Sequence, residues 1–224
     1  TDYLSTTTPV TVQVDTYTYY DGLKRPIQER ASTETANSYA VRDTVYSNIG
    51  AVQKESMPYF STGTSRTSPV ATNNLYTRYA YDPLQRVVTT ANAVGTTTNT
   101  YENWTTLVTD GNGEQKEYYR DAYGNLVRVD EMVPTGFYTT LYEWNANNKL
   151  TKITDNAGNV RNFEYNGLGW LVDAEDLHAT SDVTFGNWHY AYGNTGKIAT
   201  ISDPNGGTTT FLYDDLDRVT SENS

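Results

Sequence analysis

Two histidines, His178 and His189, are the only imidazoles in the chain. A Ser-His-Asp triad would have to use one of them, yet no nucleophile-elbow motif accompanies either. His189 alternates with Trp188 and Tyr190 along a strand-like run, so it is expected to face opposite to those rings, toward solvent. His178 lies in the longest interval of the pattern described below and is expected on a loop. The acidic clusters Asp173–Asp176 and Asp214–Asp215 could supply a glycosidase carboxylate pair. Nothing in the sequence places them in a cleft, and solvated turns are the better expectation. Asp110-Gly111-Asn112-Gly113-Glu114 begins like a calcium loop. An EF-hand would need Gly and Glu where Gln115 and Asp121 stand, so a tight β-turn is expected. Asn103-Trp104-Thr105 matches a glycosylation sequon. Cysteine is absent, which removes disulfides, thiol catalysis and Cys-zinc sites. Together these features predict no enzyme, no metal and no cofactor.

The aromatic residues offer a different chemistry. Sugar rings stack on Trp and Tyr faces, which makes Trp104, Trp170 and Trp188 the candidate ligand-stacking residues of a carbohydrate-binding or adhesive module. That reading gains if the three line an open groove and loses if they pack inward.

The elements that would carry these residues follow a repeat. Anchors stand at Tyr81, Tyr101, Arg120, Trp144, Tyr165, Tyr192 and Tyr213, and an aliphatic follows each six residues later: Val87, Leu107, Leu126, Leu150, Leu171, Ile198 and Val219. A second mark, Asp or Asn with Gly three residues on, recurs at Asn92–Gly95, Asp110–Gly113, Asp155–Gly158 and Asp203–Gly206. Gly there supplies φ > 0, and the Asx side chain can bond its own backbone two residues on. The runs between marks are about six residues long and rich in Thr, Val, Ile and aromatics, a strand composition. One period is thus strand, turn, strand, turn.

Two residues before most anchors stands another aromatic: Tyr79, Tyr118, Tyr142, Phe163, Tyr190 or Phe211. Positions i and i+2 of a strand share a face, so the pairs are expected to form one largely buried aromatic face. The fold is predicted to be all-β, antiparallel hairpin repeats in a curled sheet, since loops of about four residues cannot make parallel crossovers. Residues 76–224 hold seven repeats. Residues 1–75 are a divergent segment, with alternating Val10, Val12 and Val14, an early copy at Tyr20-Asp21, a possible hairpin over 37–49 and a loop over 61–74.

Because recurrence answers a structural need, the signature residues Tyr20, Asp21, Tyr81, Asp82, Arg86, Tyr101, Asp121, Gly124, Trp144, Tyr165, Gly169, Tyr192, Gly196, Tyr213, Asp214 and Arg218 are assigned to turns and packing. The net charge of −11 disfavours nucleic acid as a partner, and no apolar run approaches a membrane span. The array reads as part of something longer.

Tyr20-Asp21-Gly22-Leu23-Lys24-Arg25, Tyr81-Asp82-Pro83-Leu84-Gln85-Arg86-Val87 and Tyr213-Asp214-Asp215-Leu216-Asp217-Arg218-Val219 resemble the YD repeat, Tyr-Asp-x-x-Gly-Arg-Leu, of the Rhs/YD-repeat family. Glu55–Phe60 also resembles a segment preceding the repeats in B components of insecticidal toxin complexes. The resemblance implies a secreted or cell-surface protein, mostly bacterial and teneurin-like, whose repeats wind a β-sheet into a shell around a C-terminal effector. Its implied partners are further YD repeats of the parent shell, an encapsulated effector and, by the alternative reading, glycan. Tyr101-Glu102-Asn103, Trp144-Asn145-Ala146 and Tyr165-Asn166-Gly167 depart from the signature. The motif that precedes the effector in family members is absent, so no toxic activity carries over.

Overall fold

The structure, a computed structural model, describes residues 14–69 and 76–224. Val10 and Val12 lie outside the described residues, as do 70–75 at the end of the expected loop. Among the described residues there are nineteen strands and no helix. Every strand ladder is antiparallel, as expected for short connections between Thr- and aromatic-rich runs.

The chain forms two compact units. The first runs to Asn99 and includes Asp110–Asn112; the second comprises Thr100–Thr109 and Gly113–Ser224. In the first, β1 (Thr16–Tyr20), β2 (Pro26–Ser32) and β3 (Ser38–Tyr46) form a meander. The region expected to hold a hairpin over 37–49 is therefore one nine-residue strand between two hairpins. Its second half pairs with β4 (Val52–Ser56) and its first half with β5 (Tyr59–Thr62). Between them lie Met57 and Pro58, where proline has no N–H to give to a ladder. β6 (Tyr76–Tyr81) then pairs with β4, followed by β7 (Val87–Ala91) and the start of β8 (Thr96–Glu102).

The second unit is a simple meander in which each strand pairs with the next. It runs through β9 (Thr105–Thr109), β10 (Gln115–Arg120), β11 (Leu126–Val133), β12 (Gly136–Trp144) and β13 (Leu150–Thr154). It continues through β14 (Val160–Tyr165), β15 (Leu171–Glu175), β16 (Asn187–Tyr192), β17 (Ile198–Ser202), β18 (Thr208–Tyr213) and β19 (Val219–Asn223).

The aromatic face exists, but its burial differs from expectation. Tyr79, Tyr142, Phe163, Tyr190 and Phe211 share a face with their anchors, and all are half-buried. Alternate residues such as Glu143, Glu164, His189 and Leu212 are exposed on the other face. The buried apolar side chains among the described residues are Val41, Tyr76, Val129, Val160 and Ala174. A single sheet layer shields a ring by its lateral neighbours, while full enclosure needs a second layer.

The densest region of the first unit is polar. Gln28, Arg30, Asp43 and Ser56 are all buried. Gln28 Nε2 donates to Asp43 Oδ1 at 2.7 Å and the Tyr59 hydroxyl to Asp43 Oδ2 at 2.9 Å. Arg30 donates to the carbonyls of Ser65 and Thr62, and Thr67 N–H to Gln28 Oε1. Residues 62–67, expected as a plain loop, are thus laid over β2 and β3 by side-chain to backbone bonds. In the second unit Asp130 is 2% exposed and held by Arg128 at 2.6 Å and by the Thr139 hydroxyl.

Candidate functional site

The repeated turn begins with its Asx residue. Asp21 Oδ1 accepts the N–H groups of Leu23 and Arg25, and Asp82 and Asp214 accept those of Leu84 and Arg86 and of Leu216 and Arg218. The other carboxylate oxygen takes the guanidinium Nε of Arg25, Arg86 or Arg218, each at 2.7 Å. Hydrogen bonds from the Arg25 backbone and side chain hold Asp21 below the ordinary carboxylate value. Asp214 is lowered by Arg218 in the same way. At Asp82 burial pushes upward, but the bonds from Arg86 outweigh it. In Trp144-Asn145 and Tyr165-Asn166 the amide oxygen accepts the same two N–H groups, so the turn survives the loss of the charge.

The residue three after the Asx position has positive φ, as in a type I turn closed by a G1 bulge. Gly124, Gly169 and Gly196 occupy it in three copies, and Lys24, Gln85, Asn148 and Asp217 at φ 58 to 62° in four others. The second mark builds the same turn. At Asp155 and Asp203 the oxygen accepts from residues two and four on, with Gly158 and Gly206 at φ 83° and 88°. Asn92–Gly95 departs from this: Gly95 is not at positive φ, and a Cβ there would lie 3.0 Å from Gly111 Cα. Its glycine serves a close backbone approach instead. Tyr101 departs too, because only Asn103 and Trp104 separate β8 from β9, leaving no room for the five-residue turn.

The anchor rings do what the sequence pattern left unexplained. The Tyr165 hydroxyl donates to the Leu150 carbonyl at 2.9 Å, Tyr192 to Leu171 at 2.7 Å, Tyr213 to Ile198 at 2.9 Å and Tyr81 to Val52 at 2.7 Å. Trp144 Nε1 donates to the Leu126 carbonyl at 2.8 Å. Each acceptor stands six residues after the preceding anchor, so each of these rings latches its repeat to the one before. Tyr46, whose hydroxyl reaches the Pro26 carbonyl at 3.1 Å, is an anchor that the sequence reading missed. Val52 six residues on and Gly50 four residues on, with φ 85°, were the available signal. At Val87 the carbonyl is taken by Asn99 Nδ2, two residues before Tyr101.

A second link joins successive turns. The residue five after one anchor meets the residue four after the next: Asn125 with Asn148 at 2.8 Å and Lys197 with Asp217 at 3.7 Å. Arg25, Lys149 and Trp170 lie against Gly50, Gly169 and Gly196 in the same way. Arg25 also stacks over the Tyr46 ring at 4.2 Å, and Trp170 packs on Tyr192 at 5.0 Å.

The candidate stacking residues are not brought together. Trp104 is 61% exposed on its turn. Trp170 takes the place of the signature arginine between two turns. Trp188 is half-buried, with Nε1 3.3 Å from Asp176 Oδ1. Of the histidines, His189 is exposed and paired with Asp173. His178 stacks on Phe185 at 3.9 Å and bridges to Val160. Asp110 caps a tight turn through Asn112 N–H. Among the described residues no group of three or more His, Cys, Asp or Glu is arranged to hold a metal ion.

Comparison with known proteins points to the same unit. The RHS Repeat family model matches residues 144–176 and 192–224, each match opening on an anchor, Trp144 or Tyr192. Teneurin-4 of Homo sapiens and of Mus musculus are each 31% identical over 124 residues, covering 48% of this chain and 4% of theirs. Among solved structures, TcdB2-TccC3 without its hypervariable C-terminal region matches with a TM-score of 0.73 at 17% identity, over 93% of this chain and 12% of that one. The Photorhabdus luminescens Tc holotoxin pore matches at a TM-score of 0.55 and 12% identity, over 93% of this chain and 18% of that one. These structural likenesses are of fold. The chain spans a small fraction of the length of each relative.

Proposed function

Since this chain is an Rhs/YD-repeat protein, we propose that it forms a stretch of wall in a secreted or cell-surface β-shell that encloses or presents a toxin or effector. The observation that carries this reading is the anchor latch. It spends the chain's recurrent aromatic O–H groups, and the Trp144 indole N–H, on joining each repeat to its predecessor, a use that serves continuity. The signature Tyr, Asp, Gly and Arg residues are then structural anchors of seven repeats over 76–224 and a divergent segment before them. Further YD repeats are the immediate partners, and the wall itself is not catalytic.

Native mass measurement and electron microscopy of the intact protein test this. A large particle with a hollow, cargo-filled shell is expected. A free 25 kDa protein that turns over a substrate would overturn the reading. A glycan-binding module is the second reading, favoured by the exposure of Trp104 alone. A glycan array that lights up for the wild type and is silenced by Trp104→Ala would establish it.

A further inference from the structure

Asn112, Asn166 and Asn205 are each followed directly by glycine. Such a pair carries its own nucleophile. Attack by the glycine nitrogen on the asparagine Cγ closes a five-membered ring, and a following residue without Cβ leaves that nitrogen open to approach. The fold holds the three pairs in two different states.

Asn112 and Asn205 are the tips of the β9–β10 and β17–β18 turns. Both are exposed, and their backbone N–H groups are held by Asp110 and Asp203 at 2.8 Å. Among the described residues no hydrogen bond engages either side-chain amide. Gly113 and Gly206 follow at φ 86° and 88°, with open space where a Cβ would stand. Ala157 fills the same place in the Asp155 turn and makes the same backbone bond at 2.9 Å, so the turn itself does not call for an amide there. Asn166 instead opens the β14–β15 turn. It is half-buried, and its Oδ1 accepts the N–H groups of Leu168 at 3.0 Å and Trp170 at 3.1 Å, which fixes the amide in the cap.

We propose that Asn112 and Asn205 are sites of spontaneous covalent modification, converting to aspartyl and isoaspartyl residues, and that the turn cap protects Asn166. At Asn205 the Gly206 nitrogen gives up its proton and bonds to Cγ, the Cγ–Nδ2 bond breaks, and ammonia leaves. Water then opens the cyclic imide. Opening at the N–Cγ bond gives aspartate, and opening at the bond to the former main-chain carbonyl gives isoaspartate. The reaction consumes only water and changes no oxidation state. The Gly206 N–H donates to the Asp203 carbonyl at 3.1 Å, so attack waits on opening of that bond, an event that exposed turns undergo far more readily than strands.

The product alters the turn that made it. Asp203 Oδ1 accepts the N–H groups of residues 205 and 207 at 2.8 and 2.9 Å. Isoaspartate adds a methylene to the main chain between those two donors, so one carboxylate oxygen no longer holds both. Either product also places a second negative charge two residues from Asp203.

Peptide mapping of the chain aged at mildly alkaline pH tests the assignment. In the folded chain Asn112 and Asn205 should each gain about 1 Da, at least about tenfold faster than Asn166, since two hydrogen bonds must break before the Asn166 amide can turn. In guanidinium chloride, where the cap is lost, the three should convert within about threefold of one another. Transfer of methyl groups by an isoaspartate-specific methyltransferase reads the rearranged product. Asn205→Gln, whose longer side chain closes no five-membered ring, should abolish the product at 205 and leave that at 112. Circular dichroism checks that this variant folds. Conversion of Asn166 as fast as Asn205 in the folded chain, or either turn tip reacting only in guanidinium chloride, overturns the proposal. Both results are independent of the shell reading, which stands or falls on the native particle.

Discussion

The phenol of Tyr165 donates to the carbonyl of Leu150 at 2.9 Å, and Leu150 stands six residues after Trp144, the preceding anchor. One bond therefore joins the end of β14 to the start of β13, the strand just before it. Removing it leaves a part-buried carbonyl without its partner. Tyr165→Phe, which keeps the ring, should cost about 1 kcal/mol in urea unfolding. A variant as stable as the wild type would reduce the latch to an incidental contact.

Gly196 and Gly206 separate two reasons for a glycine. Both have positive φ, 80° and 88°, but a Cβ on Gly196 would lie 2.9 Å from Trp170 Cζ2, whereas Gly206 faces open space. Gly206→Ala should cost about 1 to 2 kcal/mol for the left-handed backbone alone. Gly196→Ala should cost about 1 to 3 kcal/mol more, through the displaced indole. Trp170→Ala made together with Gly196→Ala should remove that excess, and a strictly additive pair would rule out the contact.

Most of the fold was legible because its signals are local. A turn is fixed by an Asx side chain and one left-handed residue, and both stand in the sequence at fixed spacing. The latch was not legible as a bond, since its acceptor is a backbone carbonyl about twenty residues away and any residue type offers one. Tyr46 was missed for a related reason. Ser47 replaces the Asp of its turn, so the repeat continues here with only its most visible letter changed. The buried cluster of Gln28, Arg30 and Asp43 left no periodic trace, because its bonds run to the irregular segment 62–67. The half-burial of the aromatic face was misjudged because periodicity shows which residues share a face and says nothing of what covers it.

Phe163 measures that cover. It is half-buried, with the Arg161 guanidinium 5.1 Å from its ring centre. A fully enclosed Phe→Ala change costs about 3 to 5 kcal/mol, so roughly half, about 1.5 to 2.5 kcal/mol, is expected for Phe163→Ala in the isolated chain. A cost at the full value would mean that another layer, such as a second copy, lies on this face in solution.

The turn aspartates set the acid limit. Asp21, Asp82 and Asp214 all have depressed values in the folded chain. A carboxylate lowered on folding contributes stability above its unfolded value, near 3.8, and loses it as pH falls through the lower folded value. Stability should therefore hold at neutral pH and decline below about pH 4. Asp82→Asn keeps the acceptor oxygen, as Asn145 and Asn166 do, and should flatten part of that decline. An acid profile unaltered by the three Asp→Asn changes together would remove the turns from the account.

Tyr59 and Tyr119 set the alkaline limit by the opposite sign. Burial, and then the hydrogen bond to Asp43, push the Tyr59 phenol up to about 12. The hydrogen bond to Glu117, and then burial, do the same for Tyr119. A phenol raised on folding contributes stability that is fully present below its unfolded value of 10 and is lost as pH rises toward 12, since the unfolded chain releases the proton first. Tyrosinate absorbance should accordingly show a late component near pH 12 that shrinks in Tyr59→Phe and again in Tyr119→Phe. Asp43→Asn removes the negative charge facing Tyr59 while retaining an acceptor, so it should move that phenol back toward 10 and leave Tyr119 in place. If Tyr59 still titrates near 12 in the Asp43→Asn chain, burial alone sets its value and the buried cluster does not act as an electrostatic unit.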